Sequence, residues 1–225
     1  MRRATLPLIL SMAAAAALAQ VNDFGPQSPA FAPVAEQPGL PRVLLIGDSI
    51  SIGYTVNVRK ELAGKANVLR IPENGADTAN GLKKIDSWLG ASKWDAIHFN
   101  WGLHDLKVTP DGSRQVPIDV YEKNLGALVA RLKKTRAVLI WATTTPVPDG
   151  KQSPVREAAD GPKYNAAARR VMEANGIAVD DLYMAALPRL QEIQLPLNVH
   201  FNAAGWEVLG RQAAASILAE LRRKP

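Results

Sequence analysis

Residues 43–51 read VLLIGDSIS. A short apolar run of this kind, cut off by Gly47 and Asp48, has the length and composition of a strand buried on both faces. Two serines follow, one directly after the acid and one two residues later. If either hydroxyl is a nucleophile, its base and the acid that orients the base must stand elsewhere in the chain.

Outward from this stretch the pattern repeats. The run VLLIG (43–47) is followed by NVLRI (67–71), WDAIHFN (94–100), AVLIWA (137–142) and IAVD (177–180), each short and rich in strand-forming residues. Helical patterns lie between them. The clearest puts Tyr121, Leu125, Leu128, Val129 and Leu132 on one face of a helix that starts after Pro117 and ends near Lys134. Asn202 is suited to cap a last helix over about Ala203 to Leu221. Five strands alternating with helices predict parallel pairing through right-handed crossovers, hence an α/β fold: a three-layer α/β/α sandwich with a five-stranded parallel sheet. Such sheets place their sites beyond the carboxyl ends of the strands.

The flanking segments read differently. Residues 1–19, MRRATLPLILSMAAAAALA, combine Arg2 and Arg3, an apolar stretch from about Leu6 and a small-x-small exit at Ala17-Leu18-Ala19, the pattern of an export signal peptide. Their roughly fourteen apolar residues fall short of the ~20 that span a bilayer. Residues 20–41 hold Pro26, Pro29, Pro33, Pro38 and Pro41 without periodicity and read as an extended linker or arm, so one folded domain is expected over 42–225.

The net charge of +6 comes from 27 basic and 21 acidic residues; without Arg2 and Arg3 the excess is about +4. These charges are scattered apart from RLKKTR and the final LRRK, which argues against a nucleic-acid partner. With no cysteine there is no disulfide framework, no thiolate metal site and no lipid-modified cysteine as a membrane anchor. No phosphate loop, H-E-x-x-H or calcium loop calls for a metal or cofactor. An exported protein, periplasmic or secreted and without a stable membrane anchor, is expected.

Chemically useful residues follow the apolar runs as the sheet rule demands: Gly47-Asp48-Ser49, Asn74-Gly75, Gly102-Leu103-His104-Asp105 and Thr143-Thr144-Thr145-Pro146. Three histidines are present. His98 sits within a strand pattern and reads as packed or satisfied beneath the site, His104 follows the third run, and His200 stands before the last helix in NVHFNAAGW.

Together these blocks resemble the SGNH (GDSL-like) hydrolase family over about residues 42–222. The resemblance implies a flavodoxin-like fold, Ser49 as nucleophile, His200 as general base, and an oxyanion hole formed by the N–H groups of Ser49 and Gly75 with a third donor at the position of His104. Ser49 at a strand-to-helix turn also suits attack, since the following helix's positive end faces it. The alternative role for Ser49 is to cap a helix starting near Ser51, with Ser51 itself a cap or first-turn residue. For His200 the alternative is a loop histidine packed near Phe201. Asp48 supports the turn, Gly102 belongs to the third block, and Asn74 is either a helper or a turn residue before Gly75.

Two positions depart from the family pattern. His104 stands where the G-x-N-D block has asparagine; it can donate through one ring nitrogen, with Asp105 beside it setting tautomer or charge, or it contacts substrate and leaves the hole with two donors. Leu197 stands three residues before His200, where the resemblance implies an aspartate. A Ser49–His200 dyad is therefore expected, its ring oriented by a carbonyl, water or another carboxylate. Asp180, Asp181 and Glu192 lie nearby in sequence but have cap or surface roles as their default. Trp101 reads as a pocket wall or as core, and the loop TTTPVP with DGKQSP either lines the pocket or only turns. The expected activity is serine esterase action on small acyl esters, acetyl among them, with an acylated carbohydrate as the substrate class. The competing expectation is a catalytically impaired relative that binds a carbohydrate or another ligand.

Overall fold

The computed structural model describes residues 24–223; the export-signal reading of residues 1–19 lies outside the described residues. Strands β1 (Arg42–Ile46), β2 (Asn67–Arg70), β3 (Ala96–Phe99), β4 (Val138–Ala142) and β5 (Ala178–Asp180) form one sheet in the order β2-β1-β3-β4-β5, with every neighbouring pair parallel. This is the flavodoxin-like doubly wound order, whose switch point falls between β1 and β3. All five expected strands are present. The third is trimmed most, because Asp95 turns its carboxylate to the Arg42 N–H at 2.9 Å and Asn100 turns its amide to the Ala142 carbonyl at 2.7 Å. Val43, Leu44, Leu45 and Ile46 are all buried, which is why the run shows no polar alternation.

The helices are α1 (Ser49–Glu61), α2 (Thr78–Leu89), α3 (Ile118–Lys133), α4 (Asp160–Ala174), the short α5 (Leu182–Ala186) and α6 (Leu190–Ile193), and α7 (Ala203–Arg223). On one face of the sheet α1 packs against α7, and on the other α2, α3 and α4 lie side by side. The stripe Tyr121, Leu125, Leu128, Val129 and Leu132 on α3 is fully buried. Asn202 Oδ1 accepts the Gly205 N–H at 3.0 Å and so caps α7.

Small residues let α1 and α7 approach. A Cβ at Gly53 would come within 2.6 Å of the Trp206 ring, and one at Gly210 within 2.4 Å of Asn57. This seating fixes where the loop carrying His200 emerges beside the end of β1. The proline-rich segment lies along the domain: Asn67 Oδ1 accepts the Gln37 N–H at 2.7 Å while its Nδ2 donates to the Gln37 carbonyl at 2.9 Å, and the Arg70 guanidinium lies 4.9 Å over the Phe31 ring. Among the described residues no helix is long and apolar enough to cross a membrane.

Candidate active site

Asp48 leaves β1 with an extended backbone, and its Oδ1 accepts the Ile50 N–H at 2.9 Å. Asp48 is thus the N-cap of α1, which begins at Ser49 rather than near Ser51. The capping alternative for Ser49 is removed, because the carboxylate one residue earlier already satisfies the exposed N–H. Ser51 is a buried first-turn residue.

His200 reaches Ser49 from the loop before α7. Its Nε2 lies 2.8 Å from Ser49 Oγ. The loop is held from both sides: the Leu195 N–H donates to the His200 carbonyl at 2.9 Å, the His200 N–H to Asn198 Oδ1 at 3.0 Å, and the Asn202 N–H to the Ile193 carbonyl at 2.9 Å. The Phe24 ring stacks on the imidazole with centroids 4.3 Å apart and planes at 27°. Trp206 lies behind it, at 6.4 Å.

Among the described residues no hydrogen bond reaches Nδ1 of His200. Leu197 has a left-handed backbone (φ 50°) and is 59% exposed. The three acids near His200 in sequence face elsewhere. Asp180 Oδ2 pairs with His98 Nε2 at 2.8 Å, Asp181 caps α5 through the Met184 N–H, and Glu192 meets Arg189 at 3.2 Å. His98 is therefore satisfied in the buried layer below. Burial holds the His200 pKa below its ordinary value, Arg156 and His104 push the same way, and the Asp48 carboxylate opposes them. The imidazole stays neutral at physiological pH, the form a general base needs.

The oxyanion side differs from the expectation at two points. The Gly75 N–H donates to the Gly47 carbonyl at 2.9 Å, so it ties the β2 loop to the end of β1 and is engaged by backbone instead of being directed at an incoming carbonyl. Asn74 Oδ1 accepts the Ala76 N–H at 2.9 Å, which makes Asn74 a turn residue whose side chain also borders the cleft. Gly102 passes so close to the end of β4 that a Cβ would sit 2.1 Å from Thr144 Oγ1.

His104 Nδ1 lies 2.9 Å from Lys107 Nζ. An ammonium group has donors only, so Nδ1 accepts and the ring hydrogen sits on Nε2. Burial also lowers the His104 pKa, which favours the neutral ring. A neutral Nε2–H donor is what a developing oxyanion requires. Asp105 does not touch the ring: its Oδ1 accepts the Thr78 N–H at 2.9 Å and steadies the start of α2, while burial pushes its carboxyl up to about 7. The cause is a local turn, in which the Leu106 N–H donates to the Gly102 carbonyl and residues three apart share a side. The tautomer-setting role expected of Asp105 therefore falls to Lys107.

Ser49, Asn74, His104, Leu197 and His200 line one cleft of about 330 Å³. Phe24, Lys107, Gln152 and Arg156 complete its walls, with Ser153 and Pro154 of the DGKQSP loop at its border. Trp101 is fully buried core and forms no wall.

A model of the GDSL-like lipase/acylhydrolase family matches residues 45–208 of this sequence. The chain belongs to that family. Its architecture is that of solved relatives: a lipase/acylhydrolase from Enterococcus faecalis has a TM-score of 0.68 at 23% identity, covering 80% of this chain and 96% of the other. An acetyl xylan esterase has a TM-score of 0.67 at 15% identity over 78% of this chain and 99% of its own. An acetylxylan esterase from Geobacillus stearothermophilus has a TM-score of 0.64 at 20% identity, with 80% and 94% covered. At these identities the likeness is one of fold. No curated protein sequence matches the chain.

Three residues of this GDSL-like site escape the sequence reading: Phe24, Lys107 and Arg156. Lys107 had a usable signal, since it stands three residues after His104 in a turn. Phe24 is one of two phenylalanines in a proline-rich segment without periodicity, and Arg156 lies 52 positions beyond His104 with no local motif.

Proposed function

We propose that this family member is an exported serine esterase acting on small acyl esters, acetyl among them, with an acylated carbohydrate as substrate. The observation that carries the reading is the 2.8 Å contact between Ser49 Oγ and His200 Nε2 across elements 151 residues apart. Ser49 attacks the acyl carbon as His200 takes its proton. The tetrahedral oxyanion is met by the Ser49 N–H and the Nε2–H of His104. His200 then returns the proton to the departing alcohol, and a water repeats the sequence on the acyl-serine.

With no acid among the described residues bonded to Nδ1, the imidazolium draws its stabilisation from the field of Asp48 and its orientation from Phe24. Removing the acid of a serine-protease triad costs roughly 10⁴ in turnover yet leaves a rate above background, so a dyad suits an easily cleaved ester. Export rests on the N-terminal signal pattern, and the acetyl and carbohydrate assignment is supported by the acetylxylan esterases that share the fold.

The test is hydrolysis of an activated acetyl ester by the protein and by Ser49→Ala prepared identically. Turnover that falls to background in the alanine form supports the reading; equal rates overturn it. The second reading, a ligand-binding relative with impaired chemistry, is favoured by the unbonded Nδ1 and the engaged Gly75 N–H. It predicts two equally inactive proteins that still bind an acylated sugar.

A further inference from the structure

Among the described residues, the cleft in front of Ser49 is lined by two cations, Lys107 and Arg156, and by no aspartate or glutamate. Arg156 is only 7% exposed. Its Nε donates to the Leu103 carbonyl at 2.7 Å and its Nη1 to the Pro154 carbonyl at 3.3 Å, while Nη2 has no hydrogen bond among the described residues. Lys107 uses one ammonium hydrogen on His104 and keeps two. Neither side chain forms an ion pair among the described residues. The acids whose fields reach Lys107 each spend one oxygen elsewhere, Asp48 capping α1, Asp77 capping α2 through the Asn80 N–H and Asp105 holding Thr78; the Asp48 field also reaches Arg156, but none of the three pairs with either cation.

A guanidinium taken out of water and bonded only to neutral carbonyls carries a desolvation cost that a paired anion would offset. Two such cations on one wall also repel each other, and burial together with Arg156 lowers the Lys107 pKa. An ordinary structural ion pair would have placed a carboxylate between them. Here that place is open to the cleft that holds Ser49.

We propose that the substrate is an anionic acyl ester, whose carboxylate or sulfate is received by Arg156 Nη2 and Lys107 while its ester carbonyl meets Ser49. An acetylated acidic sugar has this chemistry. The planar guanidinium, already held by two carbonyls, presents its remaining edge in a fixed direction, which suits a planar carboxylate or one face of a sulfate. For the reaction this rests on the esterase reading; for binding it does not.

The experiment separates the two. Ser49→Ala, which cannot turn substrate over, is titrated calorimetrically with acetylated glucuronic acid, with its neutral methyl ester and with an acetylated glucose 6-sulfate. The anionic ligands are expected to bind about tenfold or more tighter than the methyl ester, with the difference shrinking as salt rises. Arg156→Gln in the same background should erase most of the difference, and Arg156→Lys, which keeps the charge, should retain part of it even where the loss of the fork loosens the wall. The ratio of the two anions tells carboxylate from sulfate. Equal affinity for acid and methyl ester, or no measurable binding of either, overturns the proposal. Hydrolysis by the wild type with no anionic preference sinks it while sparing the esterase reading; anionic preference in Ser49→Ala with no wild-type turnover does the reverse.

Discussion

Phe24 stacks face to face on the imidazole of His200, with ring centroids 4.3 Å apart. A residue of the proline-rich segment thus fills part of the space around a ring whose Nδ1 meets no acid among the described residues. Stacking restricts ring rotation but supplies no proton acceptor, so it orients the base without raising its basicity. Phe24→Ala should lower kcat about tenfold, with KM changed far less. Phe24→Tyr should restore most of the loss. An unchanged kcat in the alanine variant would show that the loop alone holds the ring.

Leu197→Asp restores a carboxylate three residues before His200. The backbone there is left-handed, where leucine is strained and aspartate is better tolerated, and the side chain is exposed, so little packing is lost. Turnover should rise by roughly 10 to 10³, part of the ~10⁴ that the acid contributes in protease triads. Leu197→Asn relieves the same backbone without the charge and should gain far less. A flat response to aspartate would mean that His200 Nδ1 is out of reach from position 197.

Removing the His104 ring tests its place in the oxyanion hole. His104→Ala should cut kcat by about 10²-fold with KM nearly constant, the signature of a transition-state donor. His104→Asn, which supplies an amide donor, should recover activity. If KM moves and kcat does not, His104 is a substrate contact and the hole works with fewer donors.

The acid limb of the pH profile reports His200. Because burial lowers its pKa, the base form persists below the ordinary imidazole value of about 6.5, and kcat/KM should hold at pH values where a solvent-exposed histidine would already be protonated. The Asp48 carboxylate acts in the opposite direction. Asp48→Asn keeps an N-cap and deletes the charge, so it should move the limb to still lower pH and slow kcat, since the imidazolium loses the anion whose field favours it. A limb that moves upward would exclude Asp48 as the stabilising charge.

Asp105 bears on stability. Its carboxyl sits at about 7 in the folded protein, against ~3.9 when unfolded. A raised pKa makes its contribution fully present below the unfolded value and lost as pH rises through the folded one. Urea unfolding should therefore show stability falling between pH 4 and 8, by on the order of 4 kcal/mol from this residue. Asp105→Asn keeps an acceptor for the Thr78 N–H and should flatten that part of the curve. An identical pH dependence in wild type and variant would rule this residue out.

Sheet and layers were legible because burial on both faces leaves an unmistakable apolar run, and alternation with amphipathic helices admits few topologies. Ser49 was legible for a related reason: in a parallel sheet, functional residues gather just past the strands; His200, 20 residues beyond the end of β5, was legible only through the resemblance of its block to the family's. Strand ends and helix starts were less so, because a cap is decided by which side chain reaches an N–H first, as Asp48 does ahead of Ser49.

What the sequence by itself determined was the architecture, the family and the pairing of a serine with a histidine. Only the tertiary structure decided what surrounds that pair. Lys107 rather than Asp105 holds His104, the Gly75 N–H turns into the backbone, and Phe24 and Arg156 arrive from segments with no motif of their own. Periodicity records which face of an element is buried. The direction of a polar side chain inside a cleft is set by competition among hydrogen-bond partners drawn from distant parts of the chain, and that competition leaves no local signature.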